Sequence, residues 1–187
     1  ISAEAEYFGS GFPFVSYSDV YNNRELPALV NGLANSSDED RLQYSILKGD
    51  VLFTRTSETI EEIGVASTCM RNIDNSTFSG FLIRFRPQTQ YLFNGFSKYY
   101  FNAPMLRFYF VREMNLVTRA SLSQELLKNL PVLLPSIKEQ QDIFLHLKKE
   151  STKIDKAISL QQTQIEKLKE YKATLIDSAV TGKIKVV

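Results

Sequence analysis

SIKEQQDIFLHLKKESTKIDKAISLQQTQIEKLKEYKATLIDSAV, residues 136 to 180, is the stretch whose reading decides how this chain is built. Within it Phe144, Leu147, Ile154, Ile158, Ile165, Leu168, Leu175 and Ala179 follow one another in steps of three, four or seven. Such steps place all eight on one stripe of a helix with a period of about 3.5 residues. Ser151, Gln161 and Lys172 fall on the same stripe. Polar residues there cost stability but penalise wrong registers, because a shifted partner leaves them facing apolar side chains. Pro135 stops the preceding segment, and Ser136 with Glu139 can form a capping box. Gly182 marks the far end as the residue that most easily takes a left-handed turn. Thr152 with Asp155 offers a second capping box, so the spacing leaves open a break near Glu150.

A helix of roughly 40 residues is about 60 Å long, far beyond the ~20 Å reach of one small domain. Its apolar stripe therefore needs a second helix along it, because an exposed stripe of that size is an aggregation liability. The competing reading, a helix lying flat on the preceding domain, fits the length less well.

The remaining sequence bounds the possibilities. With 187 residues, the chain has room for one large domain, or one domain with an extension. No run of about 18 apolar residues occurs and the N-terminus lacks a basic-then-apolar signal, so the expectation is a soluble, cytoplasmic protein without a membrane partner. Cys69 and His146 are each the single residue of their type. That excludes a disulfide framework, a zinc finger and a Cys-His or Ser-His-Asp triad within the chain. The expectation is a buried small thiol and a solvent-facing or seam-flanking imidazole.

Charge and aromatic content are unevenly distributed. Up to Pro135 there are 12 lysines and arginines against 14 acids, whereas from Ser136 onward there are 10 against 7. All nine arginines precede Ser136, and Arg71 to Arg119 carries seven basic residues against two acidic ones. Of 22 phenylalanines and tyrosines, only Phe144 and Tyr171 lie in the tail. Arginine interleaved with aromatics suits a nucleic-acid surface, since guanidinium forks match phosphates and guanine edges. The same composition also fits aromatic core strands with solvated arginines.

Along the first part of the chain, Phe12 to Ser18 reads as a strand and Asp19 to Arg24 as an Asn-rich turn. Asn31 to Asp40 reads as a polar loop, and a turn at Lys48, Gly49 and Asp50 feeds a buried strand, Val51 to Phe53. Thr54 to Glu62 is a hydroxyl-rich segment between that strand and a second one in Ile63 to Met70, a placement that favours function. Glu58, Glu61 and Glu62 have no metal or acid-base spacing and read as surface charge. Phe81 to Arg86 alternates as a strand, with Phe81, Ile83 and Phe85 on one face and Leu82, Arg84 and Arg86 on the other. Phe96 to Met114 reads as helical on both sides of Pro104, with Asn102 able to cap the second piece. Ser121, Gln124, Leu126, Leu127 and Leu130 form one more short helix. No glycine-rich phosphate loop or dinucleotide fingerprint is present. The expected fold is α+β: a mixed α/β domain over residues 1–135, then a long helix over 136–187 that pairs with a second helix in a coiled coil.

LPVLLPSIKEQQ (130–141) and the run from LKKESTKIDKAIS to SAVTGKIKV resemble the helical region of specificity subunits of Type I restriction-modification enzymes. KGDVLFTRTSETIEEIGVAS, FSGFLIRFRP and TRASLSQELLKNLPVLLP are similar to the target recognition domain that precedes that region. The resemblance implies a non-catalytic subunit, with no catalytic residue, no metal and no cofactor, that binds double-stranded DNA, reads one half of a bipartite target and pairs its long helix in an antiparallel coiled coil. It also implies docking to modification (methyltransferase) subunits and, through the assembled complex, to a restriction subunit. That family's usual subunit carries two recognition domains and two long helices, whereas this chain has one of each. A first half, or another copy of the chain, would complete it. The opening Ile-Ser-Ala-Glu and the SAVTGKI ending favour the C-terminal half of a larger subunit.

For DNA contact the expected residues are Arg55, Thr56 and Ser57, then Tyr21, Asn22 and Arg24, and Lys98, Tyr99 and Arg119. For the partner or dimer interface they are Phe144, Leu147, Ile154, Ile158, Gln161, Ile165, Leu168, Lys172, Leu175 and Ala179. Arg84 and Arg86 could instead be salt-bridged on the sheet, and Tyr99 could be core. Two other classes stay open: a coiled-coil adaptor whose head binds protein, and a nuclease or methyltransferase fragment, which the missing catalytic constellation disfavours.

Overall fold

The computed structural model describes residues 7–57, 59, 62–87, 91–113 and 120–185. They form two compact units, Ile1–Phe144 and Leu145–Val187.

The first unit is organised around β3 (Val51–Thr54), in which all four residues are buried. It is the middle strand of an antiparallel sheet, between β5 (Ala66–Thr68) and β7 (Leu82–Phe85). Successive side chains of a strand point to opposite faces, and here both faces are covered. Val51 and Phe53 join Ala66, Ile83, Phe101, Leu106, Phe110 and Leu122 in one core. Leu52 and Leu82 join Val15, Val20, Leu26, Ile46 and Ile73 in the other. Leu82, expected on the arginine face of its strand, is thus buried there.

Two small sheets flank this one. β1 (Phe8–Val15) lies between β2 (Leu33–Ala34), antiparallel, and β6 (Thr77–Phe78), parallel. β4 (Thr56–Ser57) pairs antiparallel with β8 (Ala120–Ser121). Cys69 is buried, and that burial pushes its thiol pKa up to about 11.

The segment expected as a turn after β1 begins instead with a helix, α1 (Tyr17–Tyr21). The polar loop likewise ends in α2 (Asp38–Gln43). Each is started by a capping box, Ser16 with Asp19 and Ser37 with Asp40, in which hydroxyl and carboxylate exchange bonds with each other's backbone amides. The bond from Ser37 holds the Asp40 pKa below its usual value.

Helices α3 (Asn94–Tyr100) and α4 (Pro104–Glu113) lie on either side of the proline-marked break. Asn102, expected as a cap, does a different job. Its carboxamide accepts from the Ala66 amide at 3.0 Å and donates to the Ala66 carbonyl at 2.7 Å. That satisfies the backbone of β5 at a sheet edge. Ser123 caps α5 (Gln124–Lys128).

The long helix α6 (Ile137–Val180) runs without interruption for 44 residues. The Thr152 hydroxyl donates to the Lys148 carbonyl at 2.7 Å, as it does inside a continuous helix, so no second cap forms near Glu150. Gly182, at φ +70°, ends the helix. Its amide reaches the Ala179 carbonyl and the Lys183 amide reaches that of Ser178, which is the Schellman arrangement. Along the second unit the stripe is open: Ile154, Ile158, Ile165, Leu168 and Leu175 are 45% to 66% exposed.

Candidate nucleic-acid interface

The expected DNA-contacting residues sit in the first unit and fall into three neighbourhoods. The first is the end of α1. Tyr21 is exposed and stacked on Tyr17, with ring centroids 6.1 Å apart. Asn22 closes the helix, its amide donating to the Ser18 carbonyl. Arg24 is exposed, while its carbonyl accepts from the Thr68 amide on β5 at 3.0 Å. Backbone anchoring with a free side chain is the arrangement a reading loop needs.

The second neighbourhood follows β3. Arg55 is held by its backbone on both sides, its amide to Phe81 at 2.8 Å and its carbonyl to Leu122 at 2.7 Å. Its side chain is exposed and makes no ion pair among the described residues. Thr56 is half-buried, and its hydroxyl has no hydrogen-bond partner among those residues. Ser57 donates to the Glu62 carboxylate. The Glu62 carbonyl in turn accepts from the Thr54 hydroxyl at 2.5 Å and from the Tyr17 phenol at 3.2 Å. This last bond brings the first two neighbourhoods together, and burial raises the Tyr17 pKa. Glu62 is accordingly a half-buried structural residue rather than free surface charge.

The third neighbourhood, on α3, is less available. Lys98 is ion-paired to Glu25 at 2.9 Å, and both are partly covered. Tyr99 lies with its ring centroid 6.3 Å from that of Phe144, closer to the core reading than to the contact reading. Arg119, Glu58 and Glu61 lie outside the described residues.

The structure adds residues that sequence reasoning leaves out. Arg55 lines a cavity of about 410 Å³ with Gln43, Arg84 and Gln124. Arg84 and Gln124 also line an adjoining cavity of about 430 Å³, together with Arg86 and Lys128. Among the described residues, no carboxylate lines either cavity. Arg84 donates to the Gln43 carbonyl at 3.2 Å and to that of Ser45, and burial with the nearby Arg86 lowers its pKa. Arg86 makes a two-pronged ion pair with buried Asp50, both contacts 2.7 Å, which raises its pKa. The strand alternation places both arginines on one face and anticipates the salt bridge. What it cannot show is that α5 brings Gln124 and Lys128 alongside. Guanidinium groups can grip phosphates, and glutamine carboxamides can pair two-pronged with adenine. This face offers both.

The chain matches no curated protein by sequence. A family model described as the Type I restriction modification DNA specificity domain matches residues 1–170. The chain belongs to this specificity-domain family.

Two solved structures share the fold of this specificity domain. One comes from work on complex assembly and conformational transition of the type I R-M system; it is 18% identical, with 95% of this chain and 41% of that chain covered, at a TM-score of 0.70. The other is the HsdS subunit from Thermoanaerobacter tengcongensis, 13% identical, with 78% and 37% covered, at a TM-score of 0.61. The specificity domain therefore spans about two fifths of the length of these structures. Among its described residues no helix is long and apolar enough to cross a membrane, and no group of three or more His, Cys, Asp or Glu could hold a metal ion.

Proposed function

We propose that this specificity domain reads one half of a bipartite target in duplex DNA, as a non-catalytic recognition part of a Type I restriction-modification complex. The observation that carries the proposal is the family match over residues 1–170. The exposed Arg24 and Arg55, and a face lined by Arg55, Arg84, Gln124 and Lys128 with no carboxylate among the described residues, support it. Modification subunits dock on the same chain and bring the restriction subunit with them. The apolar stripe of α6 pairs with a second long helix, from another recognition half or another copy. Two heads held at a fixed separation then read two short half-sites and multiply their specificity.

The test is a titration of fluorescent duplex DNA with the chain at rising salt. Affinity is expected to fall by about tenfold or more between 50 and 200 mM salt, because phosphate contacts release counterions. Arg24→Ala and Arg55→Ala are each expected to weaken binding by about 1–3 kcal/mol if they touch bases, or to flatten the salt slope by about one if they touch phosphates. Affinity that stays level with salt and is untouched by either change would favour the adaptor reading instead.

A further inference from the structure

Gln140 is the one buried residue of α6, with no exposed surface among 44 residues that otherwise face solvent at least in part. Its carboxamide makes three short bonds to main chain. The oxygen accepts from the Phe93 amide at 2.8 Å, and the nitrogen donates to the Tyr91 carbonyl at 2.8 Å and the Pro135 carbonyl at 2.9 Å. Phe93 is the residue that opens α3, and no side chain caps that helix. Gln140 thus satisfies, from another helix, the amide of the residue that opens α3. A leucine of similar volume would fill the space but leave one donor and two acceptors without partners. Burial alone therefore does not explain the choice of residue.

One turn further along α6, Phe144 completes the grip. Its ring stands at 75° to that of Phe93, with centroids 5.5 Å apart. It also occupies the space above Gly95, where a Cβ would come within 2.7 Å of the ring. Hydrogen bonds are directional, and a slip of one residue along α6 would turn the carboxamide about 100° and shift it ~1.5 Å. The clamp therefore admits one rotational setting.

We infer that Gln140 is a positioning residue: it fixes the rotational setting of the α6 root on the recognition domain, and so sets the half-site spacing the protein accepts. This rests on the DNA reading proposed above. One extra base pair between half-sites moves the second by about 3.4 Å and turns it ~35° around the duplex. A root locked in one setting rejects that change, whereas a loosened root tolerates it.

The experiment measures binding of the full chain, assembled with its partner half, to duplexes carrying both half-sites with spacers lengthened or shortened by one base pair. Wild type is expected to prefer one spacer by about tenfold or more, and Gln140→Leu to shrink that preference severalfold while selecting the same bases. Phe144→Ala, at a half-buried position, is expected to do the same and keeps the test open if Gln140→Leu does not fold. In Gln140→Leu, hydrogen exchange is expected to speed up at the Phe93 amide ahead of the β3 amides. Equal weakening on every spacer, with the preference unchanged, would overturn the inference and leave the DNA reading standing. A wild type that binds no duplex would overturn both.

Discussion

Phe53→Ala is expected to lower the unfolding free energy of the first unit by about 3–5 kcal/mol, the range for removing a fully buried phenylalanine. The ring has no exposed surface. It meets Phe101 edge-on at 5.4 Å and Phe110 at 6.3 Å. Alanine would lose the transfer energy of the ring and leave a cavity between the central strand and two helical segments that cannot both move in. On that side Phe110 packs closely on Gly64, where a Cβ would come within 2.6 Å of its ring. Urea denaturation followed by circular dichroism measures this as a fall in midpoint at unchanged slope. Leu29→Ala serves as the control: at 85% exposure, leucine there should stay within about 0.5 kcal/mol. A Phe53→Ala loss as small as the control's would mean that the core is not centred on β3.

The second large effect concerns association rather than folding. Ile158→Asp combined with Leu168→Asp is expected to abolish pairing of α6 while leaving the first unit folded. Both side chains lie on the open stripe, 61% and 66% exposed in the single chain. Burying them against another helix is favourable at about 25 cal/mol per Å². A carboxylate in the same place loses its water against apolar side chains, so each change should weaken pairing by well over tenfold, or ~1.4 kcal/mol. Sedimentation velocity of the assembly reports the loss, and an unchanged urea midpoint for the first unit shows that folding is spared. An assembly that survives both substitutions would contradict the seam as drawn.

Part of the fold is legible in the residues alone, and for physical reasons. The long helix is, because a period near 3.5 sustained over many turns matches neither the alternation of a strand nor the irregularity of a loop. So is β3, whose apolar run follows a glycine turn at Gly49, φ +97°. The short helices α1 and α2 escape because each is one or two turns long, with no room for a periodic pattern. Their signal is the pair of S-x-x-D boxes at Ser16 and Ser37, with aspartate where glutamate is more usual. Asn102 misleads because a local cap and a distant strand edge want the same carboxamide, and only tertiary structure decides between them. The candidate interface is half legible. Arg24 and Arg55 stand out as cations in loops, but the union of Arg55 with Arg84, Gln124 and Lys128 depends on how α5 lies along β7. Lys98 looks equally available in sequence, until the fold brings up Glu25, distant along the chain, as its partner.

The most direct test of the central claim is selection of bound duplexes from a random pool by the purified chain, alone and with its modification and partner subunits. The account predicts enrichment of one short contiguous motif by the single recognition domain, and of that motif together with a second at fixed spacing by the assembly. A pool that emerges unenriched, with the protein shown to be folded and assembled, would contradict it.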